Sequence, residues 1–212
     1  ALVGWVIAGA LGGPAVSLPL FAALAVGAMG VSTLHLGMKH RAWRAVANVH
    51  RSRLSREVAS LALFVGAVVA DLQWAGPGVG ALPWIAVATG VLALLAMDRV
   101  YDPVRPSMAR PVHSADALLT GPVFAAVLLQ SMLGFVVLGG LKLVLYGRRG
   151  LRGRAGGWWL PVSRVLLGLL APPMLWWLGP PEAAVWAPAA YLMGELLDRG
   201  ELYQELEPTR PG

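Results

Sequence analysis

The sequence predicts an all-α fold, a polytopic transmembrane helix bundle of about 6-8 spans. Hydrophobic residues make up 57% of the chain and charged residues only 13%, whereas about 25% is usual in soluble domains. Runs without any charge cover residues 1–34, 58–70, 72–97, 117–141 and 165–181. Several of them reach the roughly 20 residues that a helix needs to cross a bilayer core. One such run would fit a signal peptide, but five do not.

Six spans are predicted in chain order, at 16–37, 56–74, 81–101, 118–146, 158–178 and 182–199. Residues 1–12 are also apolar, and Gly12-Gly13-Pro14 separates them from the first span. We expect one integral membrane domain over 1–212, with further residues before residue 1 and around 140–158. Tryptophans near the predicted span ends fit an interfacial aromatic belt: Trp74, Trp84, Trp158, Trp159, Trp176, Trp177 and Trp186.

The loops between the spans differ in charge. Loop 38–56 is strongly basic, 98–116 is mixed and rich in proline, and 147–157 is basic and rich in glycine. Simple alternation puts 38–56 and 98–116 on one membrane face and 75–80 and 147–157 on the other. Both faces then carry arginine, so the positive-inside rule gives no orientation. We attribute the net charge of +6 to topology and to headgroup or partner contacts, not to nucleic acid.

Several kinds of chemistry are excluded by the residues present. Cysteine is absent, so this chain holds no disulfide, thiolate metal site or iron–sulfur cluster. Of the four histidines, at positions 35, 40, 50 and 113, only His35 is close to a span, and bis-histidine haem is therefore not expected. No serine hydrolase elbow or phosphate-binding loop occurs, and no metal site is predicted.

His35 and Glu57 form the first candidate site. His35 ends one predicted helix and Glu57 begins the next, so the loop between them brings both to one face. A histidine beside a carboxylate can exchange protons with a carrier of two electrons and two protons. Alternatively, His35 only ends its helix and Glu57 only stabilises the N-terminal dipole of the next helix, with Ser55 as its cap. The residues alone leave both interpretations open.

Other charged residues lie near span ends. Asp71 is expected to reach the interface at the end opposite His35. Glu195 precedes Arg199 by four residues, which predicts a structural ion pair on one helix. Arg99 marks a headgroup boundary or polarises a carbonyl ligand.

Three motifs stand out by their order and spacing. The second is Arg99-Val100-Tyr101, and the third includes Gly194, Glu195, Leu196, Arg199, Gly200 and Tyr203. The first contains His35, Leu36, Gly37, Arg41, Ala42, Asn48, Leu54, Ser55 and Glu57. Together these motifs resemble the anchor subunit family of dimethyl sulfoxide reductase.

The resemblance implies a quinone-reacting subunit of an oxidoreductase complex. Menaquinol or menaquinone would bind near one membrane face without haem. Electrons would be exchanged with a separate four-cluster ferredoxin-like iron–sulfur subunit, which is joined to a molybdopterin catalytic subunit. The chain alone would not catalyse the terminal reaction. The expected location is the bacterial or archaeal cytoplasmic membrane. The implied catalytic residues are His35 and Glu57, and the implied quinone-binding residues are His35, Glu57, Arg41, Asn48, Ser55, Arg99 and Tyr101.

The chain departs from the family pattern in its count of spans. The family has eight spans, and the third motif should share the face of His35, whereas six spans put Glu195 on the opposite face. A span is therefore expected to be missing between 140 and 158. Glu195 and Arg199 are left out of the predicted site for this reason.

Docking to a partner is expected on the face of loops 38–56 and 98–116. The predicted docking residues are Arg44, Arg51 and Arg53, although a plain positive-inside loop would look the same. Segment 147–157 is predicted to be mobile and to face away from the partner. Two other functions fit the same fold: a non-redox polytopic transporter or lipid-handling protein, and a purely structural anchor with quinone handled elsewhere.

Overall fold

The computed structural model describes residues 1–34, 52–74, 80–100, 114–148 and 158–206. The chain divides into two compact units, an N-terminal unit of Leu2–Pro103 and a C-terminal unit of Val104–Gly212 grouped with Ala1. The described residues form helices and turns, which confirms the predicted all-α class. The helices are α1 (Leu2–Ala10), α2 (Leu18–Leu34), α3 (Arg53–Trp74), α4 (Leu82–Val100), α5 (Ala117–Leu128), α6 (Met132–Arg148), α7 (Trp159–Trp177) and α8 (Ala187–Leu206).

In the N-terminal unit, α3 and α4 form an antiparallel pair against which the shorter α1 and α2 pack. The ring of Phe21 on α2 meets Phe64 on α3 edge-on, with the ring centroids 5.8 Å apart. Gly90 lies where α1, α3 and α4 meet. A Cβ atom there would lie 2.9 Å from Val3 Cγ1 and 3.0 Å from Phe64 Cε2. A small residue is therefore required at this crossing, as is usual where helices pack in lipid.

In the C-terminal unit, α5, α6, α7 and α8 surround one apolar core. Phe135 on α6 meets Trp176 on α7 edge-on at 5.5 Å, and Phe124 on α5 stacks on Tyr191 of α8 at 6.0 Å. Trp176 is thus packed against the core and is not part of the expected aromatic belt. The other belt tryptophans, Trp74, Trp84, Trp158, Trp159, Trp177 and Trp186, are exposed.

The prediction of one span over 118–146 is wrong, because the chain reverses direction within it. Gln130 has a φ of 51°, and Ser131 N donates to the carbonyl oxygen of Ala126. Ser131 Oγ then accepts from Gly134 N at 3.2 Å and caps α6. Helices α5 and α6 are therefore two antiparallel helices. The described residues thus contain one more helix within 118–146 than the sequence predicted.

The surface of the described helices is apolar. Helices α3, α4 and α7 are long and apolar enough to cross a membrane, and large aliphatic side chains such as Val26, Leu63 and Leu133 are exposed on α2, α3 and α6. Exposed apolar surface on this scale is the signature of contact with lipid. The chain is therefore an integral helical membrane protein.

Helices α7 and α8 approach each other most closely at two glycines. A Cβ atom on Gly194 would overlap the backbone of Gly168 and lie 3.1 Å from the carbonyl oxygen of Arg164. Helix α7 contains a π-helical segment at Leu166–Leu170, which includes Gly168. Because backbone meets backbone here, no side chain can be added without separating the helices.

We predict that Gly194→Ala lowers the stability of the chain by about 1–3 kcal/mol or more, since overpacking at a backbone contact forces the helices apart. The measurement is thermal unfolding of the purified protein in detergent. Gly200→Ala is the matched control on the same helix, because nothing lies within 4 Å of a Cβ atom there. Equal melting temperatures for the two variants would contradict the close crossing.

Candidate functional site

The start of α3 carries the residues of the first candidate site that the structure describes. Ser52 caps the helix: its Oγ accepts from the backbone N–H of Ser55 at 3.3 Å. Ser55, the cap in the alternative interpretation of this segment, instead donates its backbone N–H to the cap and lies within the first turn. Its side chain is buried.

A hydrogen bond joins the start of α3 to the end of α4. Arg53 Nη1 donates to the carbonyl oxygen of Arg99 at 3.0 Å, at a helix end where carbonyl groups have no partner within the helix. The first two motifs therefore meet at one end of the N-terminal unit. We call Ser52, Arg53, Ser55, Glu57 and Arg99 the α3–α4 site.

Glu57 lies on the packed side of α3. It precedes Phe64 by seven residues and Val68 by eleven, spacings that share one helix face, and both of these side chains are buried. Glu57 itself is half-buried. Ser60 Oγ donates to the backbone carbonyl oxygen of Glu57 at 3.0 Å. Glu57 therefore lies on the face of α3 that carries the buried Phe64 and Val68.

Most of the other predicted site residues lie outside the described residues. Arg99 is exposed at the end of α4, and Arg53, a predicted docking residue, contacts its own chain. Of loops 75–80 and 147–157 the structure describes only Gly80, Gly147 and Arg148, and most of 38–56 and of 98–116 also falls outside the described residues. The same holds for His35, Arg41, Arg44, Asn48, Arg51 and Tyr101.

A second polar assembly lies inside the C-terminal unit, where the sequence predicted only an ion pair of Glu195 with Arg199. Lys142 on α6 forms a buried ion pair with Glu195 on α8. Thr120 Oγ1 on α5 donates to Glu195 Oε2 at 2.6 Å and accepts from Lys142 Nζ at 2.9 Å. The predicted pairing of Glu195 with Arg199 is therefore corrected: the partner of Glu195 is Lys142, on another helix.

The assembly continues along α8. Arg164 Nη2 on α7 donates to Asp198 Oδ2 at 2.7 Å, and Ser114 Oγ donates to Asp198 Oδ1 at 3.1 Å. The guanidinium of Arg164 also lies 3.7 Å from the ring centroid of Tyr146 on α6, a cation–π contact. Tyr146 OH donates to the carboxylate of Glu201 at 2.8 and 3.0 Å. We call these residues the buried charge cluster: Ser114, Thr120, Lys142, Tyr146, Arg164, Glu195, Asp198 and Glu201.

One signal in the sequence could have revealed this cluster. Glu195, Asp198 and Glu201 are three residues apart, so they follow one face of a helix. Tyr191 lies on the same face, and its hydroxyl donates to the carbonyl oxygen of Thr120 at 3.3 Å. The cationic partners, however, lie on other helices, and no local spacing points to them.

Apolar helices of spanning length, an exposed apolar surface and enclosed ionisable side chains define an integral membrane protein of the helical class. Within this class the chain belongs to the DMSO reductase anchor subunit (DmsC) family, whose family model matches residues 15–137. The match covers more than half of the chain and includes the α3–α4 site. Among curated proteins and among solved structures there is no significant match.

Family membership defines the general role of the chain. It is a membrane anchor subunit of a DMSO reductase-type oxidoreductase complex. The family also implies association with a molybdoenzyme catalytic subunit and an iron–sulfur subunit. Of the buried charge cluster, only Ser114 and Thr120 lie within the matched residues.

We predict that the two arginines of the α3–α4 site differ in their effect on stability. Arg53→Ala removes the donor to the end of α4 and should cost about 0.5–1.5 kcal/mol. Arg99→Ala leaves the backbone acceptor in place and should cost less. Melting temperatures of the two purified variants test this, and a larger loss for Arg99→Ala would contradict the contact.

We predict that Lys142→Met costs about 3–5 kcal/mol, because it leaves Glu195 buried without its cation. Adding Glu195→Leu should restore most of this loss, since an apolar pair of similar volume carries no charge. Unfolding of the wild type, both single variants and the double variant gives the interaction energy. If the effects of the two substitutions simply add, the ion pair contributes nothing.

Proposed function

We propose that the chain binds menaquinol or menaquinone at the α3–α4 site and exchanges its electrons with the iron–sulfur subunit of the complex. The observation that carries the proposal is the Arg53–Arg99 hydrogen bond. It holds the start of α3, with Ser55 and Glu57, against the end of α4. Residues of the first and second motifs, more than forty positions apart in the sequence, would thereby lie side by side, as the residues of one binding site must.

The position of Glu57 suits the acceptance of a proton from a quinol. Its carboxylate is half-buried on the packed face of α3, close to the helix end and not in the middle of the span. A carboxylate there can be reached by a bound ring and still pass a proton to water at the membrane boundary. Ser55 and Arg99 supply a hydroxyl donor and a cation near the same helix ends.

Oxidation of a quinol releases two electrons and two protons, and each of them needs an acceptor. When a quinol is oxidised, both of its O–H bonds break and two C=O bonds form. Glu57 would accept one proton and His35 the other, and both would release them to water. The two electrons leave for the clusters of the iron–sulfur subunit, because this chain has no cysteine to hold a cluster.

We further propose the arrangement of the complex around this site. The four-cluster ferredoxin-like subunit would dock on segments 38–56 and 98–116, where Arg44, Arg51 and Arg53 would meet acidic groups. The molybdopterin subunit would attach to it, and the complex would reside in a bacterial or archaeal cytoplasmic membrane. Since Arg53 also binds the end of α4, docking and the shape of the site would be linked through one side chain.

We predict that Glu57→Gln and His35→Ala each lower the oxidation of a menaquinol analogue by the purified complex by roughly 10²-fold or more, because each removes a proton acceptor. The terminal activity of the complex with an artificial electron donor should remain, which shows that the subunits are assembled. The measurement is the steady-state rate with each donor.

Asp71→Asn is the matched control. Asp71 lies on the same helix, fourteen residues from Glu57, which corresponds to about 21 Å along the axis. This substitution should leave menaquinol oxidation unchanged. Wild-type rates for both Glu57→Gln and His35→Ala would overturn the site assignment. Movement of a solute by the chain alone in liposomes would favour a transporter.

A further inference from the structure

The buried charge cluster has no role in the proposed quinone site. Five ionisable side chains that carry full charges, Lys142, Arg164, Glu195, Asp198 and Glu201, are all at most 5% exposed in the C-terminal unit. Charges inside a helical membrane bundle are costly and are usually retained for a function. Their arrangement therefore needs a physical explanation.

Stability alone is a weak explanation. A buried ion pair is often no more stabilising than apolar side chains of the same volume. The unit already has an apolar core, with Val123, Phe135, Leu169 and Tyr191 among its members, and a close glycine contact between α7 and α8. The two cations and three carboxylates are therefore not the main source of packing between these helices.

One atom of the cluster points to a bound molecule. Arg164 Nη1 is buried and has no hydrogen-bond partner among the residues that the structure describes, although Nη2 of the same side chain is bonded to Asp198. A buried donor is rarely left unsatisfied, and an internal water molecule is the usual partner. The surroundings of Arg164 are polar, because it contacts both Asp198 and Tyr146, so a water molecule here would have further partners.

The cluster extends from the ends of α6 and α8 toward the middle of these helices. Tyr146 and Glu201 lie toward the end of the unit where α6 and α8 end, and Tyr146 is followed directly by the exposed Gly147 and Arg148. Lys142 and Glu195 lie nearer the middle of their helices. The carboxylates of Glu201, Asp198 and Glu195 succeed one another at intervals of one helical turn. They span six residues, or about 9 Å, along α8.

We propose that the buried charge cluster is a proton-transfer path that runs from the Tyr146–Glu201 pair to the Lys142–Glu195 pair in the middle of the unit. Glu201 takes a proton from water near the end of α6. The Tyr146 hydroxyl and a water molecule held by Arg164 Nη1 carry it to Asp198, and it passes from there to Glu195. This path is separate from the α3–α4 site and does not depend on quinone binding.

Each step of the path exchanges one O–H bond for another. Glu201 forms an O–H bond with the incoming proton and loses it to the phenol oxygen of Tyr146, which gives up its own proton in turn. The water molecule and then Asp198 each accept a proton and release one to the next carrier. Glu195 keeps the proton, Lys142 remains an ammonium group, and every intermediate carrier returns to its first state. No electron moves, so no oxidant or reductant is required.

Further charged groups surround the path. Asp116 is buried at the start of α5, Arg199 is half-buried on α8, and Arg148 is exposed at the end of α6. None of these groups lies in the sequence of carriers.

A pH-jump experiment on the full chain in a lipid bilayer tests the path. The infrared signal of Glu195 is isolated as the difference between the spectra of the wild type and of Glu195→Gln. After a rapid drop in pH, Glu195 of the wild-type protein should become protonated while the chain stays folded. Tyr146→Phe should slow this protonation by at least about tenfold, because it removes a proton carrier but keeps the ring that contacts Arg164.

Thr89→Val is the control. The Thr89 hydroxyl donates to the carbonyl oxygens of Ile85 and Ala86 on its own helix α4 and is not one of the proposed carriers, so its loss should leave the rate unchanged. If Tyr146→Phe fails to fold, Glu201→Gln replaces it, since the amide still accepts from Tyr146 but cannot take up a proton. A wild-type rate in the carrier variant would overturn the path. So would protonation of Glu195 only when the chain unfolds.

Discussion

The polar interior of the C-terminal unit depends on the close crossing of α7 and α8 at Gly168 and Gly194. Helices in lipid gain no hydrophobic free energy from associating, so they rely on close backbone contact and on polar side chains. Arg164 lies four residues before Gly168, and Asp198 lies four residues after Gly194. One helical turn from the crossing, the two side chains are therefore near enough for the hydrogen bond of 2.7 Å. A larger residue at either glycine would move the guanidinium away from its carboxylate.

The two polar assemblies are built in different ways. At the α3–α4 site a hydrogen bond between Arg53 and the carbonyl oxygen of Arg99 joins two helix ends, and both arginines are exposed. In the buried charge cluster every charged member is enclosed by helices. A group that exchanges protons and electrons with a mobile carrier must be reachable, whereas a group that passes protons internally must be shielded from lipid and from solutes. The two environments fit these two roles.

Composition and hydropathy were sufficient to predict the fold class and most helix positions. The predicted spans 16–37, 56–74 and 81–101 correspond to α2, α3 and α4 within three residues at each end. The turn between α5 and α6 was missed, because Gln130 and Ser131 are only two polar residues in an apolar run. The buried charge cluster was missed for another reason. Lys142 and Glu195 are 53 residues apart, so only the packing of α6 against α8 shows that they are partners.

The family match and the buried charge cluster lie in largely different parts of the chain. Residues 15–137 carry the first two motifs, while Lys142, Tyr146, Arg164 and the three carboxylates of α8 follow them. Membership therefore explains why Glu57 and Arg99 are expected at their helix ends, but it gives no reason for the buried charges. The reason lies in the contacts that these side chains make. Each of these side chains has a specific partner on another helix, and Nη1 of Arg164, which has no partner among the described residues, marks a point where the described protein atoms do not complete the cluster.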